Sequence, residues 1–100
     1  MKLLLLCAGG ASTGVLVQKL LRYAESNNIN LTVEAHSVSS VEELAGHFDI
    51  IMLGPQVSYK KDEVLNNANL PVGIISPMDY ALGNAENIIK QVQGILKEGA

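Results

Sequence analysis

The sequence predicts an α/β domain built on a parallel sheet, and three observations carry that prediction. Short apolar runs alternate with longer stretches of helical period along all 100 residues. The connections between them are short, which with right-handed crossovers puts helices on both faces of the sheet. The composition, 48% hydrophobic and 17% charged with a formal net charge of −3, suits one buried core and not a disordered chain.

Each element has its own signal. Leu3 to Leu6 is apolar throughout, as a central strand covered on both faces would be. Beyond the segment Cys7 to Gly14, Val17, Leu20, Leu21 and Ala24 fall at i, i+3, i+4 and i+7, a helix stripe that stops at Asn27-Asn28. Asn30 to Ala35 reads as a second strand, with Leu31, Val33 and Ala35 alternating against Thr32 and Glu34. Ser40 and Glu43 have capping-box spacing and open a short helix with Val41, Leu44 and Ala45 inward.

Ile50 to Leu53 is a third strand, cut off by Gly54-Pro55. A helix is expected from about Val57 to Asn67, packing through Val57, Val64, Leu65 and Ala68. Pro71 to Ile75 is the fourth strand, its proline at the start, where no ladder bond is lost. In the last helix Ile88, Ile89, Val92, Ile95 and Leu96 form one apolar stripe, opposite Glu86, Lys90, Gln93 and Lys97.

The same residues exclude whole classes of function. The surplus of acid argues against nucleic acid as a partner. No apolar run approaches the roughly 18 residues of a membrane span. Met1-Lys2 followed by Leu3 to Leu6 is too short for a signal-peptide core. A single cysteine excludes an internal disulfide framework and an all-cysteine metal cage, and suits a reduced, cytoplasmic setting; no metal or cofactor is expected.

In parallel α/β sheets ligands bind beyond the carboxyl ends of the strands. Four segments lie there: Cys7 to Gly14, Ser37 to Ser40, Gly54 to Tyr59 and Ser76 to Asn84. In the first, Ala8, Gly9, Gly10, Ala11, Ser12, Thr13 and Gly14 are small enough for the backbone to curl with its N–H groups inward, an anion-binding nest. The positive end of the following helix would add to it. Such a nest would favour the thiolate of Cys7, a nucleophile, with Ser12 and Thr13 adding hydroxyl donors. Cys7 also reads as the last residue of a buried strand, packed as a small hydrophobe.

Better-known phosphate loops do not fit. Gly9 and Gly14 have Walker A spacing, but Val15-Leu16 stand where Lys and Ser/Thr belong. Gly9-Gly10 are adjacent, unlike the dinucleotide fingerprint. A cysteine phosphatase loop needs an arginine six residues after its cysteine, and Thr13 stands there. Without a guanidinium clamp a phosphocysteine could form, while its hydrolysis would be less favoured. That suits a phosphoryl carrier better than a phosphatase.

At these residues the chain resembles the IIB component of a sugar phosphotransferase system, of the lactose/cellobiose (chitobiose) type. The resemblance spans essentially the whole chain. It rests on Cys7, Gly9, Ser12 and Thr13, on the third-strand signature Leu53-Gly54-Pro55-Gln56-Val57-Ser58-Tyr59, and on Tyr80 after the fourth strand. It implies a single IIB domain over residues 1–100. It further implies a three-layer α/β/α fold with a four-stranded parallel sheet in the order 2-1-3-4, akin to low-molecular-weight phosphatase and flavodoxin-like folds. Cys7 would take a phosphoryl group from a histidine of a IIA donor. It would pass that group to a sugar, of the β-glucoside or disaccharide class, carried by the membrane-embedded IIC permease.

Two positions depart from the family pattern. Ala8 stands where a serine is often found, and Asp79 is not an expected residue. Asp79 lies in the loop where low-molecular-weight phosphatases keep a general acid, which leaves a small cysteine phosphatase as an alternative. A non-catalytic anion-binding module with a structural Cys7 is another. Gly54, Pro55 and Gln56 face the Cys7 segment and could shape the site or only make a turn, and Tyr59 and Tyr80 could dock a partner or only cover helix ends. His36 lies near the active edge and His47 at the opposite one; neither has a paired carboxylate in the pattern, and both read as polar surface residues.

Overall fold

The computed structural model describes residues 1–7 and 12–98, with Ser12 and Thr13 described by their backbone alone. Four strands, β1 (Lys2–Cys7), β2 (Thr32–Ser37), β3 (Ile50–Leu53) and β4 (Val72–Ile74), form one parallel sheet in the order β2-β1-β3-β4. Helices α1 (Ser12–Ser26) and α5 (Ala85–Glu98) cover one face. Helices α2 (Val41–Leu44) and α3 (Lys61–Ala68) cover the other. The short helix α4 (Pro77–Leu82) sits beyond the carboxyl end of β4. The three layers and the strand order are those expected.

The pleat divides the central strands between two cores. Leu3, Leu5 and Cys7 of β1 point towards α1 and α5 together with Ile50 and Met52 of β3. Leu4 and Leu6 point towards α2 and α3 together with Ile51 and Leu53. Every one of the β1 and β3 leucines and isoleucines is fully buried. Each such side chain contributes roughly 1.5–3 kcal/mol by leaving water.

Several elements differ from the sequence expectation. In α1 the inward stripe is Leu16, Leu20 and Ala24, while Leu21 is 37% exposed. Its helix does stop at Asn27-Asn28, where Asn28 takes a left-handed φ of 56° and Ile29 N–H donates back to the Ala24 carbonyl at 2.8 Å. That turn uses up Ile29 to Leu31, so β2 starts and ends later than Asn30 to Ala35.

Ser40 does not cap α2 with its side chain, because its backbone is already near-helical (φ −91°, ψ 2°). The cap has moved upstream to the extended Ser37, whose Oγ accepts from Ser39 N–H and starts a 3-10 turn over Val38–Ser40. The helix expected from Val57 starts instead at Lys61, after a kinked 3-10 segment over Pro55–Lys60. There Ser58 Oγ donates to the Pro55 carbonyl at 3.0 Å, a local bond that competes with an α-turn. Leu65, placed in the core by pattern, is 40% exposed, while Val57, Val64 and Ala68 are buried. Ser76 to Asn84, read as a loop, contains α4.

Candidate active site

Register brings the site together. Leu6 pairs with Leu53, and Leu53 with Ile74. One position further along the strands, Cys7, Gly54 and Ile75 therefore form a row across the carboxyl edge. Gly54 N–H donates to the Leu6 carbonyl at 2.9 Å and Ile75 N–H to the Leu53 carbonyl at 2.9 Å, so the row is held by the same ladder as the sheet. By the alternation of the pleat these three residues share the α1/α5 face. Cys7 is 3% exposed and Ile75 fully buried.

The middle of that row is empty of side chain because residue 54 is glycine. A Cβ built on Gly54 would lie 3.2 Å from Cys7 Sγ, 3.1 Å from Gln56 Oε1 and 3.5 Å from Tyr80 Cε2. Any larger residue would press on the sulfur, and both Gln56 and Tyr80 lean over the space so left. The Tyr80 hydroxyl points at Cys7 Sγ from 4.0 Å. Cys7, Gly54, Gln56 and Tyr80, singled out by sequence, thus converge on one spot.

Helix α4 carries Tyr80, and its local sequence fixes it. Ser76 is an extended N-cap whose Oγ accepts from Asp79 N–H at 3.1 Å. Pro77 takes the first helical position, where its missing N–H costs nothing. Gly83 closes the helix with φ 61°, in the left-handed region that glycine adopts freely. Lys19 of α1 lies across this cap and donates to the Leu82 carbonyl at 3.4 Å. Between α1 and α4 runs a groove of about 280 Å³ lined by Val15, Leu16, Lys19, Tyr80, Ala81 and Gly83.

Other expected site residues are placed differently. The Asp79 carboxylate accepts from Asn87 Nδ2 at 3.1 Å and ties α4 to α5, a structural duty that does not recommend it as a general acid. Tyr59 is 78% exposed, with the Lys60 ammonium 5.9 Å from its ring centre. Pro55 opens the 3-10 segment that follows Gly54. His36 does have a paired carboxylate, Glu34 Oε1 at 3.0 Å, two residues away on the same strand face. That face is the one of Leu6, its register partner, and so opposite to Cys7. His47 is exposed at the far edge, before Phe48.

Ala8, Gly9, Gly10 and Ala11 lie outside the described residues, as do the side chains of Ser12 and Thr13. Gly14 is exposed, with open space where a Cβ would sit. Among the described residues no group of three or more His, Cys, Asp or Glu side chains could hold a metal ion. Among them, too, no helix is long and apolar enough to cross a membrane.

Sequence reasoning missed α4, the Lys19 strut and the Asp79–Asn87 tie. The first had a legible signal, since Ser76-Pro77 followed by Gly83 is an N-cap, a first-turn proline and a C-cap glycine at one short helix's spacing. The other two join residues of different helices and have no local signature.

Comparison with known proteins gives a consistent picture. Residues 2–91 match the family model described as "PTS system, Lactose/Cellobiose specific IIB subunit". The cellobiose-specific EIIB component of Lactococcus lactis subsp. lactis (strain IL1403) is 30% identical over 100 residues, covering 92% of this chain and 93% of that protein. The oligo-beta-mannoside-specific EIIB component of Bacillus subtilis (strain 168) is 30% identical over 98 residues, covering 95% of each. Among solved structures, the solution structure of a cellobiose-specific phosphotransferase IIB component from Borrelia burgdorferi superposes with a TM-score of 0.82 at 33% identity. The match covers 98% of this chain and 93% of that one.

Proposed function

The chain belongs to the lactose/cellobiose-specific IIB family of the sugar phosphotransferase system, and from that premise we propose that it is a phosphoryl carrier with Cys7 as its covalent site. Residues 1–100 act as a single IIB domain. The observation that carries this reading is the row Cys7–Gly54–Ile75, in which a glycine lets Gln56 and Tyr80 close in beside the one sulfur nucleophile of the chain.

The donor is a phosphohistidine of a IIA protein. Cys7 Sγ attacks phosphorus; the S–P bond forms as the N–P bond breaks. The proton given up by the thiol is matched by the one the departing imidazole nitrogen gains. In the second step a sugar hydroxyl attacks the same phosphorus, the S–P bond breaks and the thiolate returns, the hydroxyl proton going to solvent or to the thiolate. The sugar is held by a membrane-embedded IIC permease, so the carrier works at the inner face of the membrane, in the cytoplasm. The segment Ala8 to Gly14 supplies backbone amides to the phosphoryl oxygens, with Ser12 and Thr13 assisting. A β-linked disaccharide or glucoside is the substrate class in keeping with the cellobiose- and oligo-beta-mannoside-specific relatives.

Intact-protein mass after incubation with the phosphoenolpyruvate-dependent relay proteins and a IIA donor tests the assignment. Wild type gains one phosphoryl group that persists through the assay, and Cys7→Ser gains none on that position. Steady phosphate release from an aryl phosphate, with no stable adduct, would make the protein a hydrolase instead.

A further inference from the structure

We propose that the Tyr80 hydroxyl is a side-chain donor to the phosphoryl group carried on Cys7. This inference rests on the carrier reading above and adds a binding residue from the far end of the sheet.

Distance is the first argument. An O–H donor bonded to oxygen sits about 2.5–3.0 Å from its acceptor. Tyr80 Oη stands 4.0 Å from Cys7 Sγ, aimed at it. That separation is slack for a bond to the sulfur itself. An oxygen of a phosphoryl group on the same sulfur, standing beside the line that joins the two atoms, would come within ordinary reach of the hydroxyl. Glycine at 54 is what lets the ring and the sulfur come this close, since even a Cβ there would lie 3.2 Å from Sγ and 3.5 Å from Tyr80 Cε2.

Rigidity is the second. Tyr80 belongs to a helix of six residues, too short to persist on its own. It is nonetheless capped at both ends, with Ser76 Oγ on Asp79 N–H and Gly83 N–H on the Asp79 and Tyr80 carbonyls. Asn87 binds the Asp79 carboxylate, and Lys19 binds the Leu82 carbonyl from α1. Four separate contacts thus fix a ring that is itself packed against the α1/α5 core. This is the support a positioned donor requires.

Charge supplies the third. Cys7 is nearly buried, and an anion built there needs donors to replace water. The chain offers no arginine at position 13 and no hydroxyl at position 8, where Thr13 and Ala8 stand. A neutral phenol donates a charge-assisted bond while keeping its own proton. No proton moves in this role, and no clamp draws the group towards hydrolysis.

The experiment uses Tyr80→Phe, which keeps the ring, beside Tyr80→Leu, which does not. Each is equilibrated with a phosphorylated IIA donor, and the partition of phosphoryl between donor and Cys7 is read by intact mass. The phosphocysteine resonance is followed against pH by ³¹P NMR. For Tyr80→Phe the partition shifts about tenfold towards the donor, the scale of one hydrogen bond to a charged group. The phosphoryl protonation midpoint moves up, since a bond to the more charged form is lost. Thermal unfolding of Tyr80→Phe stays at the wild-type temperature. A Tyr80→Phe protein with wild-type partition and midpoint overturns the inference, as does loss confined to Tyr80→Leu, which would make the ring a packing element. If wild type itself takes no phosphoryl group from a competent donor, the carrier reading falls and this inference with it.

Discussion

The two edges of the sheet are closed by the same backbone ladder and finished by opposite kinds of side chain. At the amino edge, Asp49 and Lys2 exchange two bonds: Lys2 N–H donates to Asp49 Oδ2 at 2.9 Å and Asp49 N–H to the Lys2 carbonyl at 2.8 Å. Thr32 N–H meets the Met1 carbonyl at 2.9 Å. Donors and acceptors there are used up at short distance. At the carboxyl edge the ladder bonds are as short, but among the described residues the sulfur meets only the slack 4.0 Å approach of a phenol and a glycine beside it. The difference teaches that one sheet can finish its two edges for different ends. One edge is stitched by short bonds, and the other, held by the same ladder, offers the Cys7 sulfur only that long approach among the described residues.

The comparison breaks most directly at Gly54. Gly54→Val places a Cβ 3.2 Å from Cys7 Sγ, and its two methyls must displace the sulfur, the Tyr80 ring or both. Phosphoryl acceptance by Cys7 is expected to fall on the order of 100-fold, the effect of moving a reacting atom by about 1 Å. Overpacking costs about 1–3 kcal/mol of stability as well. Quench-flow of donor-to-Cys7 transfer measures the first and urea unfolding the second. A wild-type transfer rate would mean that the open position in the row has no part in the reaction.

Asp49→Ala is the counterpart at the other edge. It removes the acceptor of Lys2 N–H from a partly solvated position, and about 1 kcal/mol of stability should go with it. Transfer to Cys7 should be unchanged once the protein is folded. A slowed transfer would show that the two edges are coupled and that the division between them is false. Glu86→Gln is the smallest test. The Glu86–Lys90 pair spans one turn of α5 at 3.3 Å with both side chains more than half exposed, so it contributes about 0.3–0.5 kcal/mol at most. Unfolding in low and high salt should barely distinguish the variant, and a loss above 1 kcal/mol would point to a role for this face that its exposure does not suggest.

Much of this was legible in advance. Val33 against Thr32 and Glu34 is a pattern that only a half-covered strand explains, and it lies in β2. The Ile88, Ile89 and Val92 stripe is buried in α5 as its spacing requires. Errors fall where a local bond outcompetes the pattern. Ser58 holds the Pro55 carbonyl and delays α3 to Lys61, and Ser37 takes the capping duty that spacing gave to Ser40. Leu21 and Leu65 obey helical period but sit at the margin of their stripes, where a turn of a few tens of degrees exposes them.

Sequence alone determined the alternation of strands and helices, the position of Cys7 at the end of the first strand and the small-residue segment after it. Hydrophobic period and turn chemistry are local, and a single chain states them. Only the tertiary structure decided which face of the sheet the sulfur occupies. Leu3 to Leu6 is apolar on both sides, so no alternation records the pleat. Only the tertiary structure, too, set Tyr80 over Cys7 across 73 residues of chain, because that contact depends on the register of three strands and on the caps of a six-residue helix.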